Sequence, residues 1–145
     1  APDLSGATLI GGLLRSSDSS GSSYSSDGNI LSIQTSGLTA QNIYGFGGIN
    51  FVVPGYAINS STPILTLTSG TTTLGLDTVG IQFYGDANLN TGDTVNFIYN
   101  ANRIDTGDTT SRDITVTRGV TGIYGLNLAN NGTGLTGTVT RRSQS

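Results

Sequence analysis

The sequence predicts an all-β fold, a single antiparallel β-sandwich or jelly-roll-like domain with an extended N-terminal strand. Two features of composition lead to this prediction. Gly, Thr, Ser and Asn make up about half of the 145 residues, and these types favour turns, strands and caps over helix interiors. The strong helix formers Glu, Lys and Met are absent. No window of helical length carries a glycine-free apolar stripe of helical period, so the pattern predicts strands.

The N-terminal region divides into an apolar arm, residues 1–14, and a tether, residues 15–28. Residues 4–14 read LSGATLIGGLL, which alternation predicts to be one strand. Eight of the fourteen tether residues are Ser. Such a stretch cannot bury enough apolar surface to offset its ordering entropy, so we expect it to be flexible. The arm residues predicted to share one face are Ala7, Leu9, Gly11 and Leu13.

Residues 29–145 form the predicted β-sandwich domain. Short runs of alternating apolar residues separated by Gly, Asn and Asp predict about eight to ten strands. No sequence period of about 20–50 residues is present, which disfavours a solenoid. The runs that predict strands include Leu31 and Ile33, 49–53, 64–68, Val79 to Phe83, Val95 with Phe97 and Tyr99, Ile114 and Val116, Tyr124 to Leu128, and Leu135 to Val139.

The composition argues against an enzyme and against several classes of partner. With no His, Cys or Lys, the chain has no imidazole base, no Cys or His zinc ligand and no Schiff-base lysine. We expect no catalytic residues and, calcium apart, no cofactor. The net charge of −3 and the lack of clustered cations argue against nucleic acid. No apolar run approaches the roughly 18–20 residues of a membrane-spanning helix, so we expect no membrane insertion.

One four-residue stretch, Ile104-Asp105-Thr106-Gly107, resembles the hydrophobic-Asp-Thr-Gly motif of aspartic proteases. In that family two carboxylates share a proton and activate water. The chain departs from the motif at Asp108, where a small residue is expected. A hairpin turn favours the same residues, because Asp hydrogen-bonds its own backbone and Gly accepts positive φ. We expect a turn here.

Oxygen-bearing side chains at near-alternate positions suggest a calcium loop at Asp86, Asn88, Asn90 and Asp93. Calcium takes six to eight oxygen ligands, and the spacing is similar to the start of an acidic calcium loop. The glycine expected at the sixth position comes one place late, at Gly92, and no Glu follows. A solvated hairpin turn is the alternative.

The absence of both Lys and Glu, with abundant Ser, Thr and Asn, favours an exported protein. We expect an extracellular or cell-surface location, with any signal peptide already removed. In an exported chain, Asn59 and Asn131 head glycosylation sequons.

The order of arm, Ser-rich tether and β domain resembles fibre and pilus subunits assembled by donor-strand exchange. The resemblance implies that Ala7, Leu9, Gly11 and Leu13 enter the sheet of a neighbouring copy, where main-chain hydrogen bonds hold the polymer. Without Cys or Lys, the chain cannot form the disulfide of chaperone–usher pilins or the Lys–Asn isopeptide bond of sortase-type pilins.

We therefore expect an extracellular structural subunit that self-assembles into a pilus-like filament, with other copies of the chain as partners. Alternatives are a secreted carbohydrate-binding or adhesive module with a glycan or surface ligand, and a viral coat or tail-fibre subunit. The arm pairing within its own domain remains an alternative to exchange, although a loop as long as residues 15–28 is uncommon in compact domains.

Overall fold

The computed structural model describes residues 4–10, 13–16, 30–44, 47–85, 89–119 and 122–143, and it confirms the all-β prediction. The helices among these residues are two 3-10 turns, Gly55–Ala57 and Leu76–Thr78, and neither is long or apolar enough to cross a membrane. The strands are β1 (Leu4–Ile10), β2 (Leu13–Ser16), β3 (Ile30–Ile33), β4 (Leu38–Tyr44), β5 (Gly48–Val53), β6 (Leu65–Leu67), β7 (Thr71–Thr73), β8 (Val79–Phe83), β9 (Thr94–Asn100), β10 (Arg103–Asp105), β11 (Ser111–Arg118), β12 (Gly122–Asn130) and β13 (Gly134–Ser143).

Eleven of these strands form one sheet in the order β2-β1-β4-β6-β9-β13-β12-β11-β8-β5-β3, and β7 pairs with β10 in a second sheet. The expected antiparallel pairing holds for β1 with β2 and along β9-β13-β12-β11. All other strand pairs are parallel. The sheet is therefore mixed, and the prediction of an antiparallel domain is right only in part.

The parallel strands stack on three sides of the molecule. We call β1, β4, β6 and β9 the A wing, β3, β5, β8 and β11 the B wing, and β7 with β10 the C strip. The chain visits the A wing and the B wing alternately, and from β6 onward it passes through the C strip between them. The return from β3 to β5 takes 18 residues, and the later circuits take roughly thirty, as in a short solenoid. Successive circuits follow the same course through the wings, but they have no sequence motif in common. The sequence therefore gave no sign of a solenoid.

The core lies between the A wing and the B wing, which face each other. The rings of Phe51 on β5 and Phe97 on β9 have centroids 5.0 Å apart and are tilted by 54°. Both side chains are fully buried, and so are Leu65, Leu126 and Leu135. The two wings therefore pack as the layers of a sandwich, although one continuous sheet supplies both layers.

A β-bulge in β9 shifts the alternation of inward and outward side chains. Leu135 of β13 pairs with Ile98 and Thr136 pairs with Asn96, so Phe97 is an extra residue opposite the shift. Phe97 and Ile98 are both buried, and Tyr99 is exposed. The expectation that Val95, Phe97 and Tyr99 share one face is thus wrong for Tyr99, because an extra residue reverses the face of every later side chain.

Candidate functional site

The N-terminal arm forms a hairpin, whereas the sequence predicted one strand over residues 4–14. β1 and β2 are antiparallel, with Ile10 opposite Leu13 and Ala7 opposite Ser16. The two residues between Ile10 and Leu13 in the sequence are both glycine, which suits a two-residue hairpin connection. Ala7 and Leu9 therefore belong to β1 and Leu13 to β2, and Gly11 lies outside the described residues. The prediction of four residues along one strand face is wrong in this respect.

The boundary between arm and tether also differs from the prediction. β2 includes Arg15 and Ser16, which the sequence assigned to the tether. The remaining tether residues, 17–28, lie outside the described residues. The arm is thus an apolar hairpin that ends on two polar residues.

Within the single chain, β1 pairs with β4 in parallel. The register places Leu4 opposite Ala40 and Leu9 opposite Ile43, with an irregularity between Leu4 and Thr8. The arm therefore extends the A wing of its own molecule, which is the within-chain pairing that the sequence left open. The backbone groups of β1 could pair in the same register with β4 of another copy, since main-chain hydrogen bonds do not depend on which chain supplies the strand.

The end of the molecule that carries β1 has two strand edges without a neighbour among the described residues. β2 and β3 are the outermost strands of the eleven-stranded sheet. On β3, Ile33 points into the core, whereas Ile30 is 52% exposed. Unpaired edge strands present free N–H and C=O groups and are ready sites for strand addition. We call this the open end.

The opposite end is covered by the β12–β13 hairpin, and we call it the closed end. β12 pairs with β11 of the B wing, and β13 pairs with β9 of the A wing. The turn that connects β12 to β13 also hydrogen-bonds the free edge of β10. Ile104 N–H donates to Gly132 C=O at 2.7 Å, and Asn130 Nδ2 donates to Ile104 C=O at 2.9 Å. The last strand of each wing and of the C strip is thereby hydrogen-bonded.

Buried amides also hold the other edge of the C strip. Asn42 Nδ2 donates to the carbonyls of Ser69 and Thr71 at 2.7 and 3.0 Å, and its Oδ1 accepts from Thr72 Oγ1 at 2.8 Å. Thr72 Oγ1 in turn accepts from Asn100 Nδ2 at 2.8 Å. Asn42, Thr72 and Asn100 are buried. We call these three residues the amide network, and it fixes the C strip to the A wing.

Sequence reasoning missed the amide network and Asn130. A signal was available, because Asn42 and Asn100 interrupt or end apolar strand runs. Polar residues inside a buried strand require specific hydrogen-bond partners, but the sequence does not identify those partners.

The candidate calcium ligands fall partly outside the description. Asp86 and Asn88 are not among the described residues. Asp93 Oδ2 accepts from the Asn90 backbone N–H at 2.8 Å, and Asp93 Oδ1 accepts from Asn59 Nδ2 at 3.0 Å. The described part of this loop therefore has the hydrogen bonds of a turn. Across the described ranges, no three acidic side chains form a group that could hold a metal ion.

Both sequon asparagines are exposed and take part in turns. Asn59 has φ of 59°, and its Oδ1 accepts from Thr94 N–H at 2.9 Å. Asn131 Oδ1 accepts from Thr133 and Gly134 N–H at 3.0 and 2.8 Å in the turn between β12 and β13. A glycan on Asn59 would replace one of the two hydrogens on Nδ2, the atom that donates to Asp93. Glycosylation remains a prediction at both positions.

The Asp-Thr-Gly stretch is a turn in the structure. Asp105 Oδ1 accepts from Gly107 N–H at 2.9 Å, and Gly107 has φ of 69°. Thr106 Oγ1 donates to Thr109 C=O at 2.7 Å and accepts from Asn130 Nδ2 at 3.1 Å. The motif thus forms a turn at the closed end, where it accepts a hydrogen bond from Asn130. Its other hydrogen bonds are the local ones expected of a turn.

Three surface clefts differ in the charges that line them. A cleft of about 410 Å³ beside the Asp105 turn carries Arg103 and Asp105, and one of about 430 Å³ across β11–β13 carries Asp113 and Arg141. A third, of about 340 Å³, lies on the B wing and has Tyr84 and Gln82 among its lining residues. None of the described residues that line this third cleft is charged.

Comparison of the chain with family models, with curated proteins and with solved structures gave no match. The described residues form an all-β coil with one closed end and one open end.

Proposed function

We propose that this chain is an extracellular structural subunit that assembles into a filament, in which the N-terminal arm of one copy pairs with β4 of the next. The observation that carries the proposal is the position of the arm. β1 lies at the outer edge of β4, at the open end. Its described partners are strands, and strand pairing can be exchanged between copies without new chemistry.

The linker length is compatible with exchange. Thirteen residues, 17–29, separate β2 from β3. A chain of that length can span at most roughly 45 Å when extended. This reach allows the arm to meet either its own β4 or that of a neighbour. Because pairing within the chain has the advantage of a high effective concentration, we expect filament formation to depend strongly on protein concentration.

Arm exchange would give such a filament a direction, because the donating arm and the accepting edge of β4 are different surfaces. An arm that leaves one copy and enters the next makes a head-to-tail contact, which generates an open filament when the rotation does not close a ring. At the closed end the last strands of the A wing, the B wing and the C strip are already hydrogen-bonded. Both the arm and the edge of β4 lie at the open end, so growth uses the open ends of both partners.

Cysteine cross-linking tests the exchange directly, because the natural chain has no Cys. Leu4 and Ala40 are register partners, and Ala40 is small, so a Leu4→Cys/Ala40→Cys variant places two thiols across the β1–β4 pair. Under oxidation, exchange predicts a ladder of covalent oligomers on a non-reducing gel. Oxidised monomers alone, at concentrations where filaments are seen in negative stain, would contradict the proposal.

A proline variant tests whether β1 is needed for assembly. Thr8 pairs with Asn42 on one side and with Arg15 on the other. Thr8→Pro removes a backbone donor from the middle of β1, and we expect it to abolish filaments. The matched control is Ser22→Pro in the linker, which we expect to assemble normally. Filaments from Thr8→Pro, or from a variant lacking residues 1–28, would exclude arm exchange.

A further inference from the structure

The B-wing cleft, whose described lining residues carry no charge, has the features of a binding site that the filament proposal does not use. It lies where β8 and β11 end and has a volume of about 340 Å³. That volume is within the range of about 300–1,000 Å³ typical of small-molecule sites. One wall is the ring of Tyr84, which follows β8 directly and is 38% exposed.

The ring of Tyr84 is held in a fixed orientation. Its backbone N–H donates to Val53 C=O at 3.1 Å, and its phenolic O–H donates to Gln34 C=O at 3.0 Å. Tyr84 is thus held at its backbone and at its phenolic oxygen, while the residue as a whole remains 38% exposed. An exposed aromatic ring that is already fixed loses little conformational entropy when a ligand stacks on it.

A row of outward side chains runs across the sheet next to the ring. Val52, Gln82 and Thr117 are register partners on β5, β8 and β11. Adjacent strands lie about 4.8 Å apart, so the three side chains form a regular row. Gln82 and Thr117 are exposed, and their side chains make no hydrogen bond to any described residue. They therefore offer an amide and a hydroxyl, each able both to donate and to accept.

Two residues that line the cleft beside Tyr84 are glycines, Gly85 and Gly119. Gly119 has φ of 61°, and a Cβ atom built on it would lie 3.4 Å from Gly85 Cα. A side chain at Gly119 would strain the backbone and crowd Gly85. Neither glycine contributes a side chain to the described lining of the cleft.

We propose that this cleft binds a neutral saccharide, with a sugar ring stacked on Tyr84 and its hydroxyl groups hydrogen-bonded to Gln82 and Thr117. A saccharide ring has an apolar face of C–H groups and a rim of hydroxyls, and the cleft offers an apolar ring beside an amide and a hydroxyl. The described lining carries no charge, so an ionic ligand would lose hydration without gaining a counter-charge. The other two clefts carry both signs of charge and do not match a neutral ligand as well.

Titration of the full-length protein with neutral hexasaccharides tests the proposal. The probes are a β-1,4-glucan, an α-1,4-glucan and a β-1,4-mannan, with an acidic oligogalacturonate for contrast, and the measurement is isothermal titration calorimetry. We expect at least one neutral probe to bind with a Kd of about 1 mM or below. Binding by the acidic probe alone, or by no neutral probe at about 10 mM, would overturn the proposal.

Variants of exposed tyrosines locate the binding site. We expect Tyr84→Ala to weaken saccharide binding about tenfold, since the stacking surface is lost. Tyr84→Phe keeps the ring but not the bond to Gln34, and a smaller loss is expected. Tyr99→Ala is the matched control, because Tyr99 is similarly exposed, at 43%, but lies on the A wing. If Tyr84→Ala binds as well as the parent, the assignment is wrong.

Discussion

The two ends of the coil satisfy their backbone groups in different ways. At the closed end, the β12–β13 hairpin joins β11 to β9, and Asn130 covers the edge of β10. At the open end, the described residues leave one edge of β2 and one edge of β3 without a neighbour. A long parallel stack has two edges, and proteins usually cover or disrupt such edges to avoid association. Here hydrogen bonds cover one end, whereas no described residue covers the outer edges of β2 and β3 at the other.

This difference indicates which part of the molecule supplies rigidity and which part supplies contacts. β12 and β13 have strand neighbours on both sides, and the buried side chains there include Leu126, Leu128 and Leu135. The arm is joined to the remaining strands by residues 17–29 and by the β1–β4 pair. We expect the closed end to open only on global unfolding and the arm to open locally, because elements with fewer packed neighbours open at lower free energy.

Truncation of one core side chain at each end tests this difference most strongly. We expect Leu126→Ala, on β12, to lower the free energy of unfolding by about 3–4 kcal/mol, since the fully buried site is enclosed by packed strands. Ile33→Ala, on the edge strand β3, is expected to cost about 2 kcal/mol, because the neighbouring edge can relax. Urea denaturation measures both values. Equal costs at the two positions would show that the open end is packed as firmly as the closed end.

The amide network offers a smaller effect and a closely matched control. Thr72→Val keeps the shape of the side chain but removes the hydroxyl between Asn42 and Asn100. We expect a loss of about 2 kcal/mol in the free energy of unfolding, because buried amide groups lose a partner. Thr73→Val changes an exposed residue of the same strand and should alter stability by less than about 0.5 kcal/mol. Similar values for the two variants would mean that the network contributes little.

The fold class was predictable from the sequence, but the strand order was not. Alternation at Leu31 and Ile33 or at Leu126 and Leu128 predicts a strand with one buried face, and these residues follow that pattern. Side chains alternate in the same way in parallel and antiparallel strands, so alternation does not reveal which pairing a strand adopts. The return of the chain to the same wing after roughly thirty residues leaves no repeated motif to detect.

The errors in the predicted site have local physical causes. Alternation over residues 4–14 predicts one strand, but the run contains a Gly-Gly dipeptide, which is a hairpin signal. Alternation alone places Tyr99 on the same face as Val95 and Phe97, because the bulge at Phe97 depends on the pairing with β13 and leaves no sequence signal. The roles of Asn42 and Asn130 depend on carbonyls that are distant in the sequence, so only the fold reveals them.

Removing the amide of Asn130 should make the closed end more like the open end. Asn130→Ala leaves Ile104 C=O without the donor that covers it, and we expect a loss of about 1 kcal/mol in the free energy of unfolding. We also expect new association through β10, detected by sedimentation velocity. Asn127→Ala is the control, because the Asn127 amide bonds the exposed side chains of Ser111 and Asp113. The interpretation fails if both variants remain equal to the parent.

A substitution at Ile30 is expected to have the smallest effect on stability but a large effect on assembly. Ile30 lies on β3 at the open end and is already half exposed. Ile30→Lys should change the free energy of unfolding by less than about 0.5 kcal/mol. A lysine on an edge strand nevertheless opposes pairing with another strand, because its charge would have to be desolvated. We therefore expect a higher critical concentration for filament formation, measured by light scattering.

The control for Ile30→Lys is the same kind of change away from any strand edge. Tyr56 lies in the 3-10 turn after β5 and is 69% exposed, so Tyr56→Lys adds an equal charge without touching β3. If added charge alone weakens assembly, both variants will raise the critical concentration equally. If the edge of β3 takes part in the contact between copies, only Ile30→Lys will do so. Because neither variant is expected to change folding, a difference between them can be assigned to the open end itself.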